Sequence, residues 1–200
     1  MKFIEGYYWP DDVAEKWKCS LTRVKSLGVA VGFCKRNKRL NTVVQAGGSI
    51  GVWPNLLSKY FKTVYTFEPE PISFECLDKN VHGMNVIKSN SALGEINKVI
   101  SMNRISLTAH KVSSLPGNIP MITIDSLRLL NCDAILLDVE GYEWNVLQGA
   151  VITINKYKPL ILVEALKEKL NPVHLYLTKL EYERTMHIEL DDIYEYRKKN

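Results

Sequence analysis

From residue 42 onward, short β-branched runs of four or five residues alternate with longer stretches whose apolar positions recur every three or four residues. That alternation predicts a parallel sheet covered by helices. Thr42-Val43-Val44-Gln45-Ala46 reads as the first strand, Thr63-Val64-Tyr65-Thr66-Phe67 as the second and Asn85-Val86-Ile87-Lys88 as the third. Ala134-Ile135-Leu136-Leu137-Asp138 and Leu160-Ile161-Leu162-Val163-Glu164 are continuous apolar runs, as expected of strands buried on both faces. Between them, helices are predicted from Val52 to Tyr60, with Pro54 in the tolerant first turn, and from Pro71 to Asn80. A further helix is predicted from Glu143 to Tyr157, with Leu147, Ala150, Val151 and Ile154 on one face.

Elsewhere the pattern is less regular. A hairpin is expected around Lys98–Met102 and Leu107–Val112, ended by Pro116-Gly117, and a short helix over Ser126–Leu130. The tail predicts a helix near Pro172–Leu180, then an antiparallel hairpin, Tyr182–Ile188 with Ile193–Tyr196, turning at Asp191-Asp192. At the other end, Asp11-Asp12 is expected to begin a helix running to about Ser26. Tyr7, Tyr8, Trp9 and Trp17 are expected either to lie over a ligand cleft or to dock that helix on the sheet.

Composition changes this picture little. The 200 residues are 46% hydrophobic and 24% charged, which suits one globular unit and excludes disordered and fibrous classes. No stretch approaches the ~20 apolar residues of a membrane helix, and MKFIEGYYWPDD lacks a signal-peptide core, so a soluble cytoplasmic protein is expected. Charge is more informative once divided along the chain. Residues 1–41 hold nine Lys/Arg against four Asp/Glu, and residues 42–200 hold seventeen against eighteen, so the net +4 belongs to the N-terminal part. Residues 1–41 are therefore read as a basic, aromatic extension and 42–200 as the main domain. The run Lys35, Arg36, Lys38, Arg39 suits either a solvated loop or a phosphate contact. Cys19, Cys34, Cys76 and Cys132 show no zinc-ligand spacing and read as reduced thiols.

Two segments carry chemistry together. Gln45-Ala46-Gly47-Gly48-Ser49-Ile50-Gly51 follows a strand and opens a helix, so its glycines allow a tight turn and close approach of a ligand to the backbone. A purely structural turn tolerates such glycines too. Glu68, ending the second strand 23 residues after Gln45, stands where doubly wound folds hold ribose hydroxyls, and the pair points to a nucleotide-like cofactor. The spacing Gly-Gly-x-x-Gly differs from the dinucleotide fingerprint, and no P-loop lysine follows. A methyl donor such as S-adenosylmethionine needs no pyrophosphate cradle, only room over the glycines and a carboxylate for its ribose.

The chain resembles the FkbM-type S-adenosylmethionine-dependent methyltransferases in VVQAGGSIG (43–51), YTFEPEPISFECLDKN (65–80), TIDSL (123–127), AILLDVEGYEWNVLQGA (134–150) and PLILVEAL (159–166). The resemblance implies a Rossmann-like class I methyltransferase fold: an α/β architecture with a mostly parallel seven-stranded sheet and a C-terminal antiparallel hairpin. It also implies S-adenosyl-L-methionine as cofactor and methyl transfer to a hydroxyl of a sugar or other small metabolite. Carried onto this chain, Gln45, Gly47, Gly48, Ser49 and Gly51 would line the methionine end, Glu68 would hold the ribose, and Asn90, Ser91 and Ala92 would contact the adenine. The family usually has Asp where Gln45 stands and Ala-Asn where Gly48 and Ser49 stand. Loss of that charge is expected to cost about 1–2 kcal/mol of cofactor affinity.

Asp138 and Glu140 fall at the C-terminal end of the fourth strand and face one side if the extended backbone persists, so either suits a general base for the acceptor hydroxyl. His110 and His174 are alternatives, and Glu164 would complete an oxygen-ligand trio that equally suits cofactor positioning. No metal site is assigned. A small-molecule or glycan acceptor is expected. Asp-Val-Glu-Gly stands where base methyltransferases carry Asn/Asp-Pro-Pro-aromatic, which disfavours nucleic acid despite the basic run. A degenerate, non-catalytic cofactor-binding protein is the remaining alternative, motivated by Gln45.

Overall fold

The computed structural model describes residues 1–12, 24–104, 110–113, 117–164 and 172–197. Trp17, Cys19, the expected helix start after Asp12 and the expected start of the hairpin's second strand at Leu107 lie outside them. In chain order the elements are β1 (Lys2–Ile4), β2 (Tyr7–Trp9), α1 (Lys25–Arg36), β3 (Thr42–Ala46), α2 (Val52–Leu57), β4 (Thr63–Phe67), α3 (Pro71–Asn80) and β5 (Val86–Ser89). There follow β6 (Ala92–Leu93), β7 (Lys98–Arg104), β8 (His110–Ser113), β9 (Ile119–Ile122), β10 (Ala134–Leu137), α4 (Glu143–Gln148), α5 (Val151–Tyr157), β11 (Leu160–Glu164), α6 (Pro172–Lys179), β12 (Tyr182–Ile188) and β13 (Asp191–Tyr196).

The main sheet has seven strands in the order β12-β13-β11-β10-β3-β4-β5. Strands β5, β4, β3, β10 and β11 are parallel, as the sequence predicts, while β13 runs antiparallel to β11 and pairs antiparallel with β12. This is the Rossmann-like class I methyltransferase arrangement. Its physical basis is visible in the alternation of side chains. Val44, Ile135, Leu137, Ile161 and Val163 enter one core with α4 and α5, and Val43, Leu136 and Leu162 enter another on the opposite face with α1 and α3. From β3 the chain runs out to β5 and returns to β10 on β3's other side, so a crevice opens at their C-terminal ends, where such sheets bind ligands. No helix among the described residues is long and apolar enough to cross a membrane.

Two expected helices are corrected. The single helix over 143–157 is two, α4 and α5, with the break at Gly149-Ala150, where Gly149 packs so closely on Gly94 that a Cβ would lie 2.0 Å from its carbonyl oxygen. The side chain of Asp125 then caps the second piece, accepting from Ile152 N (2.9 Å) and Thr153 N (2.8 Å). The short helix over Ser126–Leu130 is a single 3-10 turn, Asp125–Leu127. The expected middle hairpin is present, β7 pairing antiparallel with β8, and it belongs to a second sheet, β6-β9-β7-β8, whose β9 carries Pro120.

The basic run is half helix and half turn, with Lys38 and Arg39 in the connection that follows α1. Lys35 and Arg36 form the last turn of α1, over the rings of Tyr60 and Phe33. Arg39 donates to the carbonyls of Tyr157 (2.8 Å), Lys158 (2.7 Å) and Cys132 (3.3 Å), tying the start of β3 to the end of α5. Cys34, Cys76 and Cys132 are buried free thiols.

Candidate functional site

The site is built on the turn that leaves β3. Gly47 and Gly48 both donate from N–H to the carbonyl of Phe67, at 3.1 and 2.9 Å, which folds the turn back over the end of β4. Gly47 has φ +82°, and a Cβ there would meet the Asp138 carbonyl oxygen at 1.9 Å, so only glycine lets β3 and the end of β10 approach so closely. Gly51, at φ +97°, starts α2. At Gly48 a methyl group would lie 2.5 Å from Leu77 Cδ1 and 2.8 Å from Thr66 Oγ1. The missing methyl relative to the family's usual Ala is thus matched by closer packing of the neighbours.

Glu68 clamps this turn. Its Oε2 accepts from Ser49 N (2.7 Å) and its Oε1 from Glu70 N (2.8 Å), and the residue is 7% exposed. Burial pushes its carboxyl up to about 7, against the opposing pull of those two N–H bonds. Each carboxylate oxygen keeps a second acceptor direction. Asn90 donates to the carbonyls of Glu68 (2.8 Å) and Pro69 (3.2 Å), fastening the end of β4 to the residue after β5. Ser91 is buried with its hydroxyl 2.9 Å from that of Ser89, and Ala92 begins β6 against β9.

Gln45 is fully buried. Its Oε1 accepts from Thr66 Oγ1 (2.6 Å), and its Nε2 donates to the carbonyls of Gly47 (2.9 Å) and Ala46 (3.1 Å). The amide therefore braces the turn internally, with all three bonds made inside the protein.

Of the acidic residues, Asp138 is brought to the site. Its N–H donates to the Ala46 carbonyl (3.2 Å), its own carbonyl abuts Gly47, and its charge bears on Glu68. The extended backbone does not persist to Glu140: β10 ends at Leu137, and Glu140 (φ +55°) and Gly141 (φ +94°) form an exposed turn. The condition for Asp138 and Glu140 to face one side is not met. Glu164 ends β11 in register with Asp191, and His174 Nδ1 lies 3.2 Å from the Tyr194 hydroxyl. Among the described residues no three or more His, Cys, Asp or Glu side chains are arranged to hold a metal.

Two residues were not singled out from the sequence. Asn80 donates to the carbonyls of Ile50 (2.8 Å) and Tyr8 (2.9 Å) and accepts from Tyr8 N (2.7 Å), so the β1–β2 hairpin is bolted to the glycine turn, with Trp9 packed on Ile50 and Cys76. Glu143, wholly buried at the start of α4, accepts from Val139 N (3.2 Å) and Gly141 N (3.3 Å). An acid two residues after a glycine in a helix's first turn was the available signal.

A family model described as the methyltransferase FkbM domain matches residues 45–193. No curated protein matches the chain. Among solved structures, the chain is similar to a methyltransferase FkbM from Methylobacillus flagellatus KT, with 19% identity and a TM-score of 0.57 over 78% of this chain. It spans 44% of that longer chain. A precorrin-6y C5,15-methyltransferase from Geobacter metallireducens GS-15 is similar over 97% of this chain and 95% of its own, with 10% identity and a TM-score of 0.57. An rRNA methylase from Streptococcus thermophilus is similar over 80% of this chain and 88% of its own, with 10% identity and a TM-score of 0.52. At these identities the likeness concerns the fold.

Proposed function

The chain belongs to the FkbM methyltransferase family, and from that premise we propose that it is an S-adenosylmethionine-dependent methyltransferase acting on a hydroxyl of a sugar or other small metabolite. The observation that carries the reading is the union of two elements at the sheet's switch point: the Gly47–Gly51 turn and the buried carboxylate of Glu68, joined by the 2.7 Å bond from Ser49 N. These residues fit the cofactor chemically. Glu68 has acceptor capacity left for ribose hydroxyls, the glycines expose backbone to the methionine part, and Asn90 with Ser91 borders the adenine side. Gln45, spent on internal bonds, supports the turn rather than supplying a charge to the ammonium group.

The cofactor supplies an electrophilic sulfonium methyl group. The acceptor hydroxyl oxygen forms the new bond to that carbon while the carbon–sulfur bond breaks, and the hydroxyl proton passes to a base. Asp138 is assigned that role, because it alone of the expected catalytic carboxylates lies at the end of β10 against the glycine turn.

A small acceptor is favoured over nucleic acid by the place of the basic run. Lys35, Arg36 and Arg39 precede β3, whereas the glycine turn follows it, so the strand's length of about 16 Å separates them. Arg39 is moreover committed to internal carbonyls. The test is calorimetric titration with S-adenosylmethionine, S-adenosylhomocysteine and NADH, followed by transfer of labelled methyl to panels of sugars, hydroxylated metabolites and RNA. Binding of the first two ligands and labelling of a hydroxylated small molecule is the expected result. A folded protein that binds neither at about 1 mM would be the degenerate form instead, and methyl incorporation into RNA that weakens with salt would replace the acceptor class.

A further inference from the structure

We propose that Glu143 is a positioning residue for methyl transfer: by holding the backbone of Val139 and Gly141 it fixes the turn that carries Asp138 and, through Asp138, the glycine turn of the cofactor site. The inference rests on the reading that the Gly47–Gly51 turn holds the cofactor.

The chain of contacts is short. Glu143 Oε1 accepts from both Val139 N (3.2 Å) and Gly141 N (3.3 Å), closing a loop in which Glu140 and Gly141 adopt left-handed backbone. That loop begins at Asp138, whose N–H is held by the Ala46 carbonyl and whose own carbonyl occupies the space a side chain at Gly47 would need. A shift at 139–141 is therefore passed through backbone to Asp138 and Gly47, with no soft side chain between. The side chains of Val139 and Tyr142 pack against the core, whereas a Cβ at Gly141 would meet nothing within 4 Å, so the backbone N–H groups of Val139 and Gly141 depend on the carboxylate for their bonds. Glu143 holds the turn from inside.

Glu143 makes these bonds at a cost that a helix-capping acid does not ordinarily bear. It is wholly buried, and its Oε2 has no hydrogen-bond partner in the protein. Burial pushes its carboxyl above the usual range, and the charge of Asp138 adds to that. A residue that served only to pack α4 would have no need of a carboxyl group here.

The experiment compares the full-length protein with its Glu143→Gln and Glu143→Ala variants by amide hydrogen exchange and by titration with S-adenosylhomocysteine. Gln keeps an oxygen for the two N–H groups and is neutral, so protection of Val139 and Gly141 and the affinity are expected to stay within about twofold of the parent. Ala removes the clamp. Exchange at those two amides should rise roughly ten- to a hundredfold above any change elsewhere, and affinity should fall by about tenfold. Equal, uniform loss of protection in both variants, or an Ala variant with unchanged amides, would overturn the proposal. If Glu143→Ala loosens the turn but Glu68→Ala leaves S-adenosylhomocysteine affinity unaltered, the failure lies with the cofactor reading and not with the clamp.

Discussion

The buried carboxylate of Glu68 makes a quantitative prediction about pH. Its carboxyl titrates at about 7 in the folded protein, against an ordinary value of 4.5, because burial disfavours the charge. Ribose hydroxyls donate to the ionised form, so cofactor binding must first remove the proton. Affinity should then scale with the ionised fraction, falling about tenfold between pH 8 and pH 6. Stability should move the other way. The folded value lies above the unfolded one, so the contribution of Glu68 is fully present below about pH 4.5 and is lost as pH rises through about 7, by about 3 kcal/mol in total. With the residue only 7% exposed, solvent screening removes little of this. The assay is titration with S-adenosylhomocysteine, and with 5′-methylthioadenosine to remove the amino-acid group's own titration, alongside urea unfolding from pH 4.5 to 8. The Glu68→Gln variant serves as reference: it sets one N–H group against the backbone and is less stable at low pH, but should lack both slopes. If parent and variant share the same pH slopes in binding and in stability, the assignment of Glu68 is refuted.

Further outcomes are expected at the turn and at the opposite edge. Gly47→Ala should lose roughly 2–5 kcal/mol, since φ +82° and the 1.9 Å approach to the Asp138 carbonyl both oppose a side chain, and should abolish S-adenosylhomocysteine binding. Gly48→Ala should be milder, because Gly48 is not in the left-handed region and the nearest atoms are those of side chains, Leu77 Cδ1 and Thr66 Oγ1, rather than backbone; equal losses by urea unfolding would contradict the geometry. Arg39→Ala should cost about 2–4 kcal/mol by leaving the Tyr157, Lys158 and Cys132 carbonyls short of a donor, yet leave S-adenosylhomocysteine affinity unchanged. A marked loss of affinity in this variant would mean that the two edges of the sheet are coupled.

The parallel strands and the glycine turn were legible in the sequence because their signals are local. The runs 134–137 and 160–163 are apolar on both faces wherever they sit, and Gly47 and Gly51 in the turn after a strand announce backbone that other residues avoid. Where local pattern and distant contact disagree, the sequence misleads. The apolar face from Leu147 to Ile154 continues through Gly149, yet the helix breaks there, at a residue where the carbonyl of Gly94, 55 residues earlier, comes too close for any side chain. Pro120 hides β9, which pairs with β7 and β6 all the same. The cluster Lys35–Arg39 reads as a solvated loop or a phosphate contact, and only the end of α5 shows where Arg39 is spent.

The same division runs through the site. Residue types and their spacing alone determined a helix-covered parallel sheet, the glycine turn and Glu68 as its acidic companion, because periodicity and glycine conformation act within a few residues; the class I form of the sheet and the adenine-side residues were implied by the family resemblance, and the order of the strands is a property of the folded sheet. Only the tertiary structure decided what each acid does. Asp138, Glu140 and Glu143 lie within six residues and look alike as carboxylates, but one meets the glycine turn, one is exposed on a bend and one is buried with an unpartnered oxygen. The chemistry of a carboxyl group follows from its solvation and its neighbours, and those are properties of the packed chain.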